Sequence, residues 1–176
     1  MRKLIRTKYL SSALLSLILF VLSACTPSPD AELYKGKPLR IAVVGEPPEV
    51  KEEQVKFTKV SFDKMTSTEL NSFDAVFITE DNLFEAAEDQ YVDVYLDSTI
   101  PFFFIGTDNF LPFVEKDMKY DKSMNWSAGI SYAVGILIQD DALKKWEYGL
   151  YNDEKKEEHI KDVYSRIFKT VDELNQ

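Results

Sequence analysis

Four stretches of the chain carry the apolar patterns of β-strands. Residues 39–44, 74–79 and 101–106 are nearly continuous apolar runs rich in Val, Ile and Phe. Runs of this kind are typical of strands that are covered on both faces of a sheet. Residues 55–62 mix apolar and polar side chains on both faces, which predicts a strand near an edge of the sheet.

Two other stretches repeat apolar residues at helical spacing. Leu83, Ala86, Ala87, Tyr91 and Val94 predict an amphipathic helix that Asp81 can cap. A longer stripe, of residues 160, 163, 164, 167, 168, 171 and 174, predicts a closing helix that begins at Asn152 or Asp153. Both stripes leave Lys, Glu and Asp on the other side, so we expect each helix to pack on the sheet through one face.

Residues 130–150 allow two interpretations. Apolar and polar or small residues alternate over 130–139 and again over 145–150, with two aspartates, Asp140 and Asp141, before the second run. This pattern favours a β-hairpin. A helix from Asp140 to Leu150, built on Leu143 and Trp146, is the alternative.

Strands that alternate with helices and then give way to a hairpin and a last helix predict one fold class. We expect a three-layer α/β fold with a mostly parallel central sheet, an antiparallel hairpin at one edge and a C-terminal helix, formed by a single domain over residues 39–176. One connection fits poorly. Residues 45–54 are few for a parallel crossover, which usually needs about a dozen residues or more.

The N-terminus has the pattern of an export signal. A basic start is followed by an apolar run over residues 10–22 and by small residues before Cys25. The sequence Leu22-Ser23-Ala24-Cys25 resembles the lipobox of bacterial lipoproteins, in which the cysteine receives a diacylglyceryl group and becomes the new N-terminus. A retained transmembrane helix is the alternative, but it needs about 20 apolar residues. We therefore predict a signal peptide at 1–24, a lipidated N-terminus and tether at 25–38, and membrane attachment through Cys25 on the extracytoplasmic face of the cell membrane.

Charge and cysteine content narrow the possible partners. Loss of residues 1–24 removes four basic and no acidic side chains, which leaves 17 basic and 30 acidic residues and a formal net charge of −13. A surface this acidic repels nucleic acid, so we predict no nucleic-acid partner. Cys25 is the only cysteine, so a disulfide framework is excluded and the core must stabilise the domain.

Carboxylates follow three of the predicted strands. Glu46 comes after the first strand, Glu80 and Asp81 after the third and Asp108 after the fourth. Ligands of parallel sheets bind outside the carboxyl ends of the strands, where these side chains could form a cation or polar-ligand site. The simpler interpretation makes Asp81 and Asp108 helix caps and the glutamates solvated turn residues.

No other pattern points to catalysis or to a cofactor. His159, the only histidine, stands among charged residues of the last helix, which predicts a solvated surface side chain. No nucleophile set, metal set or phosphate loop can be assembled from the sequence, so we predict no metal and no cofactor. Phe102 to Phe104, Trp146 and Tyr148 are interpreted as core, whereas Trp126 and Tyr132 could lie in an exposed aromatic patch that marks a partner surface.

Residues 74–106, 149–153 and 162–168 resemble a group of small lipoproteins from Bacillus-type bacteria. The resemblance implies a Gram-positive membrane location and supplies no activity. From the predicted anchor and the missing catalytic set we expect a non-enzymatic, palmitate-carrying binding or accessory module for an envelope protein. The alternative is a domain that binds a small ligand or cation through the carboxylates at the carboxyl edge of its sheet.

Overall fold

The computed structural model describes residues 32–175, which form one mixed sheet with helices packed against it. Its sheet has six strands in the order β2-β1-β3-β4-β5-β6. The first four are parallel and the last two are antiparallel to their neighbours. The strands are β1 (Leu39–Val44), β2 (Val55–Lys59), β3 (Ala75–Ile78), β4 (Phe102–Ile105), β5 (Ala133–Gln139) and β6 (Ala142–Tyr148).

Helices cover both faces of this sheet. They are α1 (Ser67–Leu70), α2 (Leu83–Ala86), α3 (Asp89–Leu96) and α4 (Glu157–Leu174). Single 3-10 turns stand at Phe62–Lys64, Glu80–Asn82, Leu111–Phe113, Lys122–Met124 and Tyr151–Asp153. The predicted three-layer α/β fold with a hairpin edge and a C-terminal helix is confirmed. Among these described residues, no helix is long and apolar enough to cross a membrane.

Strand alternation divides the interior into two cores. On one face Ile41, Phe77 and Phe103 meet the stripe of α4, where Phe77 stacks on the rings of Tyr164 and Phe168 at 5.8 and 6.1 Å. On the other face Phe102 and Phe104 pack with α2 and α3. Every residue of β3 and β4 is buried, which explains why both strands read as continuous apolar runs.

The short connection between β1 and β2 is a genuine parallel crossover. Leu39 pairs with Val55 and Val43 with Lys59, although residues 45–54 contain no helix. An extended chain covers more distance per residue than a helix, so these few residues are enough. The connection passes over the α4 face, where Val50 contacts the core, and β2 takes the predicted edge position.

The hairpin interpretation of residues 130–150 is confirmed and the helix is wrong. Gln139 pairs with Ala142 across a loop of two residues, Asp140 and Asp141, whose φ angles are 54° and 59°. Two consecutive positive φ angles are the signature of the tight turn that matches strand twist, and aspartate tolerates them well.

Two helices differ from the prediction, one by an internal break and one by its first residue. The expected helix over residues 83–94 is broken at Ala87 and Glu88, because the Tyr95 hydroxyl donates to the carbonyl of Ala86 (2.8 Å), which a continuous helix would use internally. The last helix begins at Glu157 and not at Asn152 or Asp153. Those two residues have φ of 51° and 53° and belong to the preceding 3-10 turn.

The folded domain extends in front of Leu39. Tyr34, placed in the tether by the sequence, is buried in the α4-side core, and its backbone N–H donates to the buried carboxylate of Glu52 (3.3 Å). The same carboxylate accepts from the Ser165 hydroxyl on α4. Tyr34 is therefore part of the domain. The predicted signal peptide and Cys25 lie outside the described residues.

Candidate functional site

The strands leave a cavity where the direction of the chain reverses. From β1 the chain moves outward to β2, then crosses back to β3 on the other side of β1, so the carboxyl ends of β1 and β3 diverge. This is the position at which open α/β sheets bind ligands. A cavity of about 390 Å³ lies there, called here the strand-end cavity. Its lining residues are Gly45, Glu46, Thr79, Glu80, Asp81, Asn82, Ile105, Tyr132 and Tyr164.

One wall of the cavity is a chain of hydrogen bonds between two strand ends. The Asn82 side-chain amide donates to the Thr79 hydroxyl (2.9 Å), which donates to the carbonyl of Val44 (3.3 Å). Gly45 follows Val44 with φ of 112°, and a Cβ there would lie 2.0 Å from Thr79 Oγ1. Glycine is therefore required for the two strand ends to approach each other.

A second glycine holds the opposite wall together. Gly106 donates its N–H to the carbonyl of Tyr132 (2.7 Å), and its own carbonyl accepts from the N–H of Trp126 (2.6 Å). With φ of 95°, a Cβ at this position would lie 2.7 Å from Glu80 Cγ. The missing side chain lets Glu80, Tyr132 and Trp126 converge on one backbone position.

Two tyrosines give the cavity its unused hydrogen-bonding groups. Tyr132 and Tyr164 are each only 6% exposed. Neither hydroxyl has a hydrogen-bond partner within residues 32–175, whereas the hydroxyl of buried Tyr148 donates to Thr170 (2.7 Å). Burial, with a smaller contribution from Glu80, raises the pKa of Tyr132 to about 12, and burial likewise raises the pKa of Tyr164. Both phenols therefore stay protonated at neutral pH and can donate.

Three of the four predicted carboxylates meet at this cavity. Glu46 is exposed and pairs with Lys59 on β2 (2.5 Å), while Glu80 pairs with Lys155 (2.7 Å), and Asp81 also lines the cavity. Asp108 is not among the lining residues. The convergence expected of the strand-end carboxylates therefore includes residues 46, 80 and 81, without the fourth.

The helix-cap interpretation of the two aspartates is wrong. Asp81 lies inside the 3-10 turn before α2, and Asn82 occupies the cap position without a capping side-chain bond. After β4 it is Asn109, not Asp108, whose side chain accepts a backbone N–H, that of Leu111 (3.1 Å). Neither aspartate is thus explained by a helix end.

Lys155 is not a lining residue of the strand-end cavity, but it contacts two residues that are, Glu80 and Tyr132. Besides its bond to Glu80, its Nζ lies 5.6 Å from the ring centroid of Tyr132 and 5.8 Å from that of Trp126. The two rings meet edge to face at 6.2 Å, and the Trp126 indole N–H donates to the carbonyl of Ile130 (3.2 Å). Trp126 is half-buried and Tyr132 is buried, so these residues do not form the exposed aromatic patch that the sequence left open.

The prediction that His159 is a solvated surface residue is wrong. The side chain is 3% exposed, and Nδ1 lies 2.9 Å from the carbonyl oxygen of Glu154. Because that oxygen can only accept, Nδ1 carries the proton. Tyr151 packs edge-on against the imidazole at 5.4 Å. The histidine closes the first turn of α4 and does not line the strand-end cavity.

Two other observations bear on the choice of site. Within the described part of the chain, no group of three or more His, Cys, Asp or Glu side chains could hold a metal ion. Another cavity, of about 420 Å³, lies between α1 and the end of α3, with Met65, Asn71, Asp93 and Thr99 in its wall. Its residues 70–71 and 98–100 precede β3 and β4, so it lies at the amino ends of these strands and not at the carboxyl ends, where open α/β sheets bind ligands. The strand-end cavity is therefore the stronger candidate.

The sequence missed the groups that make the cavity a site. The helical spacing predicts Tyr164 as part of the apolar stripe of the last helix, where its ring does pack, but the residue also lines the cavity. Lys155 was not singled out, since nothing in the sequence shows which carboxylate a surface lysine meets. Comparison of the chain with protein-family models, with curated proteins and with solved structures gives no match.

Proposed function

We propose that this chain is a lipid-anchored lipoprotein on the extracytoplasmic face of the cell membrane. The proposal is supported by the basic start, the apolar run and the Leu22-Ser23-Ala24-Cys25 motif, and by the use of the sole cysteine at the motif position. In this arrangement residues 26–32 tether the domain to the lipid surface.

We further propose that the domain is a non-enzymatic binding module for a small polar ligand in the strand-end cavity. The observation that carries this is the pair of hydroxyls on Tyr132 and Tyr164, two mostly buried residues that line the cavity and whose hydroxyls have no hydrogen-bond partner among the described residues. These hydroxyls are not closed off from solvent, so a ligand that accepts from them takes the place of water at the cavity wall. The volume lies within the roughly 300–1,000 Å³ of small-molecule sites.

Binding fits the residues better than catalysis does. The lining offers hydroxyls, one amide and carboxylates of which two are already paired with lysines. The only histidine of the chain donates to a backbone carbonyl elsewhere and does not line the cavity, so no imidazole stands beside it to act as a general base.

A protein partner in the envelope is the second candidate. It is supported by three large apolar side chains that the described surface leaves 39–48% exposed: Phe84, Leu111 and Leu143. Exposed apolar side chains mark a contact with another protein where they form one continuous patch. Crosslinking in intact cells, followed by purification of the full-length protein, should recover one specific envelope protein with the wild type and lose it with Cys25→Ser. Recovery of the same proteins with both forms would contradict this candidate.

The anchor is tested by labelling with radioactive palmitate in the producing bacterium. Wild type should incorporate the label and Cys25→Ser should not. The matched control is Cys25→Ser combined with Ser28→Cys, which keeps one thiol but moves it out of the motif. Label on this control equal to that on the wild type would refute lipidation directed by the lipobox.

Ligand binding is tested by thermal unfolding of the purified full-length protein with a panel of small polar metabolites. We expect at least one compound to raise the unfolding temperature of the wild type and to have no effect on the double variant Tyr132→Phe, Tyr164→Phe. Tyr148→Phe is the control, because its hydroxyl is already bonded to Thr170 and does not line the cavity. Stabilisation that survives in the double variant would place the binding site elsewhere.

A further inference from the structure

We propose that the strand-end cavity takes a small amine, whose ammonium group occupies the position now held by the ammonium group of Lys155. This inference rests on the binding role proposed for the cavity and specifies the chemistry of its ligand.

Two lining residues of the cavity, Glu80 and Tyr132, already contact an ammonium group. Nζ of Lys155 bonds to Glu80 Oε2 at 2.7 Å and lies within 6 Å of the ring centroids of Tyr132 and Trp126. One carboxylate and two aromatic rings that meet edge to face are the combination by which proteins recognise organic cations. The lysine therefore shows what kind of group is stabilised by Glu80, Tyr132 and Trp126, which are called here the cation corner.

The charge balance around the cation corner depends on Lys155. Glu46, Glu80 and Asp81 line the cavity, and Lys59 neutralises the first of them. For Glu80, Lys155 is the one cation within bonding distance in the part of the chain that the structure describes. When this lysine swings away, Glu80 and Asp81 remain beside two partly desolvated rings, and the site attracts a cation in its place.

Exchange of the lysine for a ligand requires that the lysine can leave. Its side chain is 39% exposed and extends from the irregular segment between the turn Tyr151–Asp153 and α4. Ion pairs this close to solvent contribute little to stability, so a free amine can compete. Tyr132 and Tyr164 line the cavity, and their hydroxyls would donate to a hydrogen-bond acceptor on the same ligand.

The test uses the full-length protein and the fluorescence of Trp126, with Trp146→Phe as the background so that one tryptophan remains. The probes are n-butylammonium, which reproduces the end of a lysine side chain, and n-butanol, its uncharged counterpart. Three proteins are compared: the background itself, the same protein with Lys155→Gln, and the same protein with Lys156→Gln. The last is the matched control, since Lys156 pairs with Glu154 and not with Glu80.

We expect n-butylammonium to change the fluorescence saturably, with a midpoint about two- to fivefold lower in Lys155→Gln, because the internal competitor, a partly exposed and weak ion pair, is gone. Lys156→Gln should behave as the background does, and n-butanol should have no effect. Equal midpoints in all three proteins, or no saturation in any, would overturn the inference. Saturation by n-butanol at the same concentration would also overturn it, but would leave the proposed binding role intact. The metabolite panel decides that role separately.

Discussion

Replacement of Gly106 by alanine should destabilise the domain by disrupting the wall of the cavity. The added Cβ would lie 2.7, 2.8 and 3.0 Å from Cγ, Cβ and Cδ of Glu80. Because Cβ of Glu80 is fixed by its backbone, a rotamer change cannot relieve all three contacts. Overpacking of this kind costs about 1–3 kcal/mol. The φ of 95°, which alanine rarely adopts, adds a separate cost of about 1–3 kcal/mol.

Gly129 separates these two contributions. Its φ is 97°, yet a Cβ there would meet nothing within 4 Å, so Gly129→Ala carries the backbone strain without the contact. Urea unfolding should therefore place Gly106→Ala below Gly129→Ala by about 1–3 kcal/mol. With a slope of about 2 kcal/mol per molar, this is a midpoint difference of about 0.5–1.5 M. Equal midpoints for the two variants would refute the close approach of Glu80 to Gly106.

Three further outcomes follow from the buried polar groups. Glu52→Ala should lower the free energy of unfolding by about 2–4 kcal/mol, because Tyr34 and Ser165 lose their shared acceptor. The control Glu53→Ala changes an exposed residue and should stay within about 0.5 kcal/mol of wild type in the same urea unfolding. Similar losses in the two variants would contradict the role of Glu52. Tyr132→Phe should leave stability unchanged or higher, while Tyr148→Phe should lose about 1 kcal/mol with its hydrogen bond. The reverse order would show that the Tyr132 hydroxyl is not free.

The third outcome concerns alkaline pH. Burial raises the pKa of Tyr34, Tyr132 and Tyr148 from 10 to about 12, so the unfolded chain releases their protons at a lower pH than the folded chain does. Their contribution to stability is complete below pH 10 and is lost as the pH rises from 10 to about 12. Urea midpoints measured across this interval should fall, and a constant midpoint would argue against burial of the phenols.

The fold could be predicted because its elements carry their own patterns. Strands β3 and β4 are covered on both faces, and their sequences are therefore unbroken apolar runs. The stripe of α4 is likewise readable, since its apolar residues face the sheet every third or fourth position. What failed were the helix ends. The break after Ala86 involves a hydroxyl nine residues away in the chain, that of Tyr95, which local spacing does not reveal.

The site could be predicted only as a location. Strand ends with carboxylates pointed to the carboxyl edge of the sheet, and Glu46, Glu80 and Asp81 do line a cavity there. The tyrosine hydroxyls and Lys155 come from segments more than 50 residues further along the chain, and their arrangement depends on the whole fold. The burial of His159 could not be predicted for the same reason. Its charged neighbours in the sequence do not show which side of the first turn of α4 other segments cover.

The strand-end cavity as the binding site is tested most directly by an amide-resolved NMR titration of the full-length protein with n-butylammonium. The account predicts shifts that concentrate on the residues after β1, β3 and β4, on Tyr132 and on Lys155. Shifts confined to the other cavity, around Asn71 and Thr99, or an unchanged spectrum, would contradict it.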